Sequence, residues 1–494
     1  MNKLHINLII IAILFASLTT TGIVLAGSPP TEAIPTSYQI ETNGTTIWAI
    51  NGETGVIDYS GTDAVTVIQD AVDALTDGGS IFIKKGTYVF TDVPNGTRLL
   101  EVTQDGIFIS GEGYSTIIEM KENAKTIHFD GVSAGGVSNI RFEGEPTDDE
   151  NHGIFAVDSE FIQVDNNYFN RFGDESVVYS RVNQSSIFRN IFNGSNGAGS
   201  GGGIDLQATN TTDITLNKFM YPGHTGIHIE QTQSTKGSHY ITVSLNQIIS
   251  PAKYGIFVSS TDQAHNNTDI GIFQNTISDA GLEHIRIAGG GISTPKNILV
   301  SGNLVTGGGN DPSGTQRAAI IVTQKTNPAN TMAFGNMVID YGTDSGSRRG
   351  IQGFDVYLGN SVSGSGDIGL FVSSNSIVLG NYCINNGVSG LGSRAGIQAG
   401  HNNSIALNFC TNTDPLNMVQ KRGIRVTGDN NMLLANYVED NISQAIDDDG
   451  SLNLFHYNTG FAAPNDWIQS ITCGAGESIT GYDNSTGYFT CSVP

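Results

Sequence analysis

Apolar side chains in this chain recur at short, staggered intervals, and the places where they recur are marked by asparagine and glycine. The triplet Asn-x-(Phe/Ile/Val/Cys) appears with Asn at 167, 190, 217, 246, 275, 303, 336, 360, 381, 408 and 436, spaced 21 to 33 residues apart. Its third residue is always apolar: Phe169, Phe192, Phe219, Ile248, Ile277, Val305, Val338, Val362, Cys383, Cys410 and Val438. A second column pairs glycine with an aliphatic residue at Gly153-Ile154, Gly203-Ile204, Gly226-Ile227, Gly255-Ile256, Gly350-Ile351, Gly369-Leu370, Gly396-Ile397 and Gly423-Ile424. Strands of fixed length joined by loops of variable length produce such a varying period, so the pattern predicts a parallel β-solenoid with one coil per repeat. The apolar residue of each column points inward, and the asparagines sit at a bend, where their amides can pair backbone groups that a tight corner leaves open.

Ahead of the coils, the period changes. Thr62 and Asp63 precede apolar residues Val65, Ile68, Val72 and Leu75 on one helical face, and Asp77-Gly78-Gly79 ends the run. This predicts a short capped helix over the open end of the solenoid, followed by strands at Ser80–Ile83 and Gly86–Val89. The run from Thr62-Asp63-Ala64 through Ile68-Gln69-Asp70-Ala71-Val72-Asp73-Ala74-Leu75, then Gly78-Gly79-Ser80-Ile81-Phe82-Ile83 and Gly86-Thr87-Tyr88, resembles the N-terminal cap of the pectate-lyase-like superfamily. That resemblance implies an all-β fold, a right-handed single-stranded parallel β-helix with an N-terminal capping helix. Members include lyases, polygalacturonase-type hydrolases, epimerases, tailspikes and surface proteins, so it implies a fold before a reaction.

The expected division of the chain is a signal peptide at 1–26, an N-terminal arm at 27–60, the β-helix at 61–460 and a small C-terminal module at 461–494. Lys3, the apolar run Leu8 to Leu18 and Val24-Leu25-Ala26 before Gly27 have the layout of a cleaved secretory signal. Retention as an N-terminal anchor is the alternative. Either way the chain is expected to be secreted or at the cell surface.

With 47 acidic against 23 basic residues and a formal charge of −24, no basic surface is available for nucleic acid. An acidic polymer would need a local arginine cluster or a bridging cation, for which calcium is the expectation. Four cysteines in an exported chain allow two disulfides. Cys383 and Cys410 share a column on successive coils, within reach of each other, as a core disulfide or as two buried thiols. Cys473 and Cys491 bracket a tail that reads as a small disulfide-closed β module, too short to hold a core without a staple.

The residue after each inward aliphatic points outward, and these positions place chemistry on one face. Coil by coil they read Val178 and Ser180, Asp205 and Gln207, His228 and Glu230, Phe257 and Ser259, Arg286 and Ala288. Asp205, His228, Glu230 and Arg286 are therefore the candidate catalytic set. A diagonal pair of carboxylates about 7 to 8 Å apart would suit inverting hydrolysis. A lyase would instead use Arg286 against a uronate carboxylate or as base, with Asp205 and Glu230 holding calcium. Gly223-His224-Thr225-Gly226 and Arg286-Ile287-Ala288 are similar to elements of polygalacturonase-type enzymes. The paired aspartates of that pattern are absent and Ala288 stands where it has lysine, so no role is carried over. The acidic runs Asp148-Asp149-Glu150 and Asp447-Asp448-Asp449 are further calcium candidates, without a defined ligand spacing. The functional expectation is a polysaccharide-handling β-helix, an enzyme of lyase, epimerase or hydrolase type, or a glycan-binding adhesin or tailspike-like protein. Association into a homotrimer stays open.

Overall fold

The computed structural model describes residues 36–492 except 92–97, 122–123, 146–150, 195–200, 232–236, 261–265, 291–294, 310–316, 324–329, 343–347, 391–392, 414–417, 460–477 and 484–487. The signal segment, Asp148-Asp149-Glu150 and Cys473 lie outside the described residues.

Three parallel sheets run the length of a right-handed β-helix, each coil giving one strand to each. Sheet 1 contains strands such as Ser133–Ser138 and Glu160–Asp165, and sheet 2 contains Arg141–Glu143 and Tyr168–Asn170. Sheet 3 contains Arg98–Val102, Lys125–Asp130, His152–Val157, Val177–Ser180, Ile204–Gln207, Thr225–Glu230, Tyr254–Ser260 and Ile285–Gly289, continuing to Gln444–Asp448. The inward column of sheet 3 keeps strict register, Ile127, Ile154, Val177, Ile204, Ile227, Ile256, Ile285, Ile320 and Ile351 each pairing with the next. All are fully buried. Because side chains alternate, one residue of slip would turn this column outward, and that cost locks every outward residue into its own column as well.

The asparagine ladder forms as the triplets predict. Asn190 Nδ2 donates to Asn217 Oδ1 at 3.1 Å, Asn275 to Asn303 at 3.0 Å and Asn381 to Asn408 at 2.9 Å, and the row extends one rung further, to Asn458. Each also gives an amide hydrogen to a carbonyl of an earlier coil, as Asn303 Nδ2 does to Ile272 O at 2.9 Å. The residue before each asparagine turns the corner with positive φ, including the bulky Leu216 (59°) and Leu245 (57°). A conformation that L side chains disfavour is held there by the ladder and the inward stack. In that stack Phe142, Phe169, Phe192 and Phe219 lie ring on ring, with centroids 5.1, 5.0 and 4.6 Å apart.

The cap is α1, Ala64–Asp73, with Asp63 as N-cap accepting from Thr66 N at 2.9 Å. Val65, Ile68 and Val72 are buried beneath it. Gln69 clamps the first strand of sheet 3: its amide donates to Glu101 O and accepts from Glu101 N, both at 2.8 Å, so this edge is paired where α1 crosses it. Part of the expected arm is in fact built into the cap. Tyr38–Thr42, Ile47–Asn51 and Ile57–Gly61 form an antiparallel meander, and Tyr38–Thr42 joins Gly79–Ile83 in parallel.

One expectation is corrected here. Cys383 and Cys410 pair directly across adjacent strands of sheet 2, yet both are free, buried thiols. In-register parallel strands keep neighbouring Cβ atoms nearly as far apart as the strands, about 4.8 Å, beyond the roughly 3.5 to 4.5 Å that a disulfide spans. The pair packs as small apolar side chains. At the C-terminus, Ser478–Asp483 and Tyr488–Ser492 form an antiparallel pair containing Cys491. Among the described residues, no helix is long and apolar enough to cross a membrane.

Candidate functional site

The register of sheet 3 stacks Asp205 on His228, His228 on Phe257 and Phe257 on Arg286, while Gln207 stacks on Glu230 and Glu230 on Ser259. The four residues singled out from the sequence thus share one face. His228 is the centre of the group. Its Nδ1 lies 3.4 Å from Asp205 Oδ1 and 3.9 Å from Glu230 Oε2, and its Nε2 lies 3.0 Å from Ser259 Oγ. The imidazole is stacked on Phe257 with centroids 4.9 Å apart and planes within 6°. One hydrogen bond, at Nε2, and a parallel ring leave it little rotational freedom.

Arg286 is separated from His228 by Phe257. Its guanidinium donates to Tyr254 Oη at 3.0 Å, approaches Glu283 Oε2 at 3.6 Å, and lies 5.2 and 5.5 Å from the ring centres of Tyr254 and Phe257. The arginine is therefore placed by an aromatic pair as well as by charge. Tyr254 and Glu283 precede the outward columns, so strand alternation did not reveal them.

Burial sets the electrostatics. Asp205 is 4% exposed, and burial, reinforced by Asp174, raises its carboxyl above the usual range against the opposing hydrogen bond from Gln207 Nε2 at 2.6 Å. Burial and the nearby Asp205 raise Glu230 to about 6, with His228 opposing. Burial lowers His228, which stays neutral near pH 7. Next to this set lies Glu175, which burial, a hydrogen bond with Asp174 and the charge of Asp205 push far upward.

Two further groups of one histidine and two carboxylates line the same sheet, Glu101–His128–Asp130 and His152–Asp174–Glu175. The first continues the outward column that holds Asp205 and was legible had that column been followed toward the cap, since Glu101, His128 and Phe155 pair rung by rung. Asp174 and Glu175 sit in the loop before Val177, where strand alternation says nothing.

The spacing expected for inverting hydrolysis is not found. Asp205 and Glu230 are diagonal neighbours along the backbone, but both side chains lean toward His228, and their oxygens approach within 4.8 Å. That is too close for the attacking water of an inverting site. Asp447 and Asp449 are also not a calcium group. Asp447 is paired with Arg422 and Arg425, Asp449 with Arg425, and Asp448 accepts from Asn453.

Residues 77–290 match the profile of the family described as periplasmic copper-binding protein (NosD). No curated protein matches the chain in sequence. Among solved structures, a double-mutant tailspike protein of E. coli bacteriophage HK620 in complex with pentasaccharide is similar at a TM-score of 0.53 and 12% identity, over 75% of this chain and 76% of that one. The alginate lyase of a Paenibacillus species gives 0.44 and 15%, over 57% and 96%. The mannuronan C-5 epimerase A-module of Azotobacter vinelandii gives 0.42 and 14%, over 80% and 95%. Cap, coils and stacked columns together identify the chain as a right-handed parallel β-helix.

Proposed function

We propose that this protein is an extracytoplasmic polysaccharide-processing β-helix that acts on a uronate-containing polymer by proton abstraction beside the sugar carboxylate, as a lyase or epimerase. The observation that carries this reading is the single outward column in which a buried carboxylate, a neutral imidazole and an aromatic-held guanidinium follow one another on successive coils. Arg286 would meet the uronate carboxylate and stabilise the charge that develops when the neighbouring proton leaves. The Tyr254 hydroxyl, 3.0 Å from the guanidinium, and the His228 imidazole, across Phe257 from it, would be the proton carriers. A polymer lying along the coils would meet one outward residue about every 4.8 Å. The tailspike neighbour, solved with a pentasaccharide, supports a glycan as the ligand of such a surface.

The periplasmic description of the matching family agrees with an extracytoplasmic location. Its copper is a poorer guide to the site. Among the described residues the groups on sheet 3 offer imidazole nitrogen and carboxylate oxygen, a set that does not single out copper among divalent ions, whereas cuprous copper favours thiolate and thioether. Cys383 and Cys410 are enclosed in the core, outside the matched residues.

The purified chain should be screened against uronic-acid and neutral polysaccharides, following absorbance of unsaturated uronate, release of reducing ends and, for epimerisation, the C-5 configuration of the uronate by proton magnetic resonance. Unsaturated product from wild type, reduced at least about 100-fold in Arg286→Ala, is the expected result. Full turnover in both His228→Ala and Arg286→Ala would rule the site out. Binding without turnover on any polymer would favour the adhesin or tailspike-like reading, and removal of Trp467 to Pro494 would then test whether the tail serves attachment.

A further inference from the structure

Around Asp205, three acceptor atoms converge with nothing positive between them. Asp205 and His228 face each other across adjacent strands, and Glu230 projects from the same side two residues on. Their nearest donor atoms all lie within 4.8 Å of one another, with His228 Nδ1 3.4 and 3.9 Å from the two carboxylates. Three ligands at about 2.0 to 2.2 Å from one ion are separated by roughly 3 to 4 Å, so a single ion fits at the centre with small side-chain movement.

A second observation points to the same centre. Asp205 Oδ1 is buried and accepts no hydrogen bond, although the other oxygen of that carboxylate is held by Gln207. A buried carboxylate oxygen with no donor is costly and calls for a positive partner. In the tautomer with the proton on Nε2, donated to Ser259, the Nδ1 lone pair points at that oxygen and at Glu230. In the other two groups other partners already engage the carboxylates or the imidazole. Arg98 bridges Glu101 and Asp130, and His152 Nδ1 is turned to the Glu175 carbonyl. Among the described residues, neither Asp205 nor Glu230 is paired with a lysine or arginine, and Arg286 is engaged by Glu283 and Tyr254.

We propose that Asp205, His228 and Glu230 bind one divalent cation of the zinc–manganese class. One imidazole nitrogen with two carboxylates suits these ions, whereas calcium takes six to eight oxygens, so the calcium expected from the sequence is not the ion of this site. The open coordination positions would lie on the outward face of sheet 3. The use of the ion rests on the function proposed above: it would hold the substrate carboxylate alongside Arg286, and with His228 as a ligand the Tyr254 hydroxyl is left as proton carrier.

The test uses the full chain freed of metal by chelator and titrated with Mn²⁺ by electron paramagnetic resonance and with Zn²⁺ by calorimetry. One ion should bind at micromolar affinity or better and raise the melting temperature. Asp205→Asn and His228→Gln should each weaken it at least about 100-fold while folding as wild type by circular dichroism, and His128→Gln should leave it unchanged. Folded Asp205→Asn and His228→Gln variants that bind as wild type, loss of binding in His128→Gln instead, or Ca²⁺ displacing Mn²⁺ at equal concentration would each overturn the proposal. Ion binding without turnover of any polymer would leave the cation site standing and remove the proposed reaction. Turnover at full rate in excess chelator would leave the reaction standing and remove the ion's part in it.

Discussion

The two halves of the outward face of sheet 3 occupy equivalent positions on one scaffold and carry opposite electrostatic solutions. In the first half, Glu101, His128, Phe155, Val178, Asp205, His228, Phe257 and Arg286 follow one another, and among the described residues Asp205 and Glu230 are paired with no lysine or arginine. In the second half, Gln352, Phe371, Gln398, Arg425 and Asp447 continue the column, and arginine neutralises the acids. Arg422 and Arg425 hold Asp447, and Arg349 lies 3.6 Å over the Phe371 ring. Equal geometry with unequal pairing separates a reactive surface from a structural one, since perturbed groups mark chemistry only where no partner has already neutralised them.

The largest effect expected from this comparison is on activity. Arg286→Ala should lower release of unsaturated uronate at least about 100-fold, and Arg425→Ala, on the same column, should stay within about threefold of wild type. Equal losses would mean that pairing does not distinguish the halves. Stability should move in opposite directions for two isosteric changes made without metal at pH 8. Asp205→Asn removes a carboxylate that burial penalises and should stabilise by about 1 kcal/mol or more, whereas Asp447→Asn strips Arg422 of its partner and should cost about 2 kcal/mol by urea denaturation.

Acid tests a different pair. Burial lowers His284 to about 4, so its contribution is complete above the unfolded value near 6.5 and is lost as pH falls through 4, up to about 3 kcal/mol. Asp165, raised by burial to about 6, acts with the opposite sign and relieves the protein as pH falls from 6 toward 3.8. His284→Gln should flatten the acid limb of stability, and Asp165→Asn should steepen it. The smallest expected effect is at Cys383 and Cys410. Both should be alkylated in denaturant without reductant and protected in the native protein, and mass spectrometry counts them.

Much of the fold was legible because its signals are periodic. The asparagine triplets and the glycine–aliphatic column placed the ladder and two inward stacks correctly, and alternation carried Asp205, His228, Glu230 and Arg286 to one face. Glu283, Asp174 and Glu175 were not legible, since they lie before their strands, where no period operates, and Tyr254 opens its strand out of phase with the outward positions Phe257 and Ser259. The disulfide between Cys383 and Cys410 was inferred from proximity alone; the parallel Cβ vectors of in-register strands decided otherwise.

The sequence by itself determined the coil, its inward columns and the capping helix, because each depends on local alternation and on apolar burial repeated many times. Only the tertiary structure decided that the carboxylates of Asp205 and Glu230 close on His228, that Phe257 and Tyr254 hold Arg286, and that Asp447 is silenced by Arg422. Those outcomes depend on how side chains lean and which charges they find across neighbouring coils, and the strength of each interaction is set by burial that one strand alone does not define.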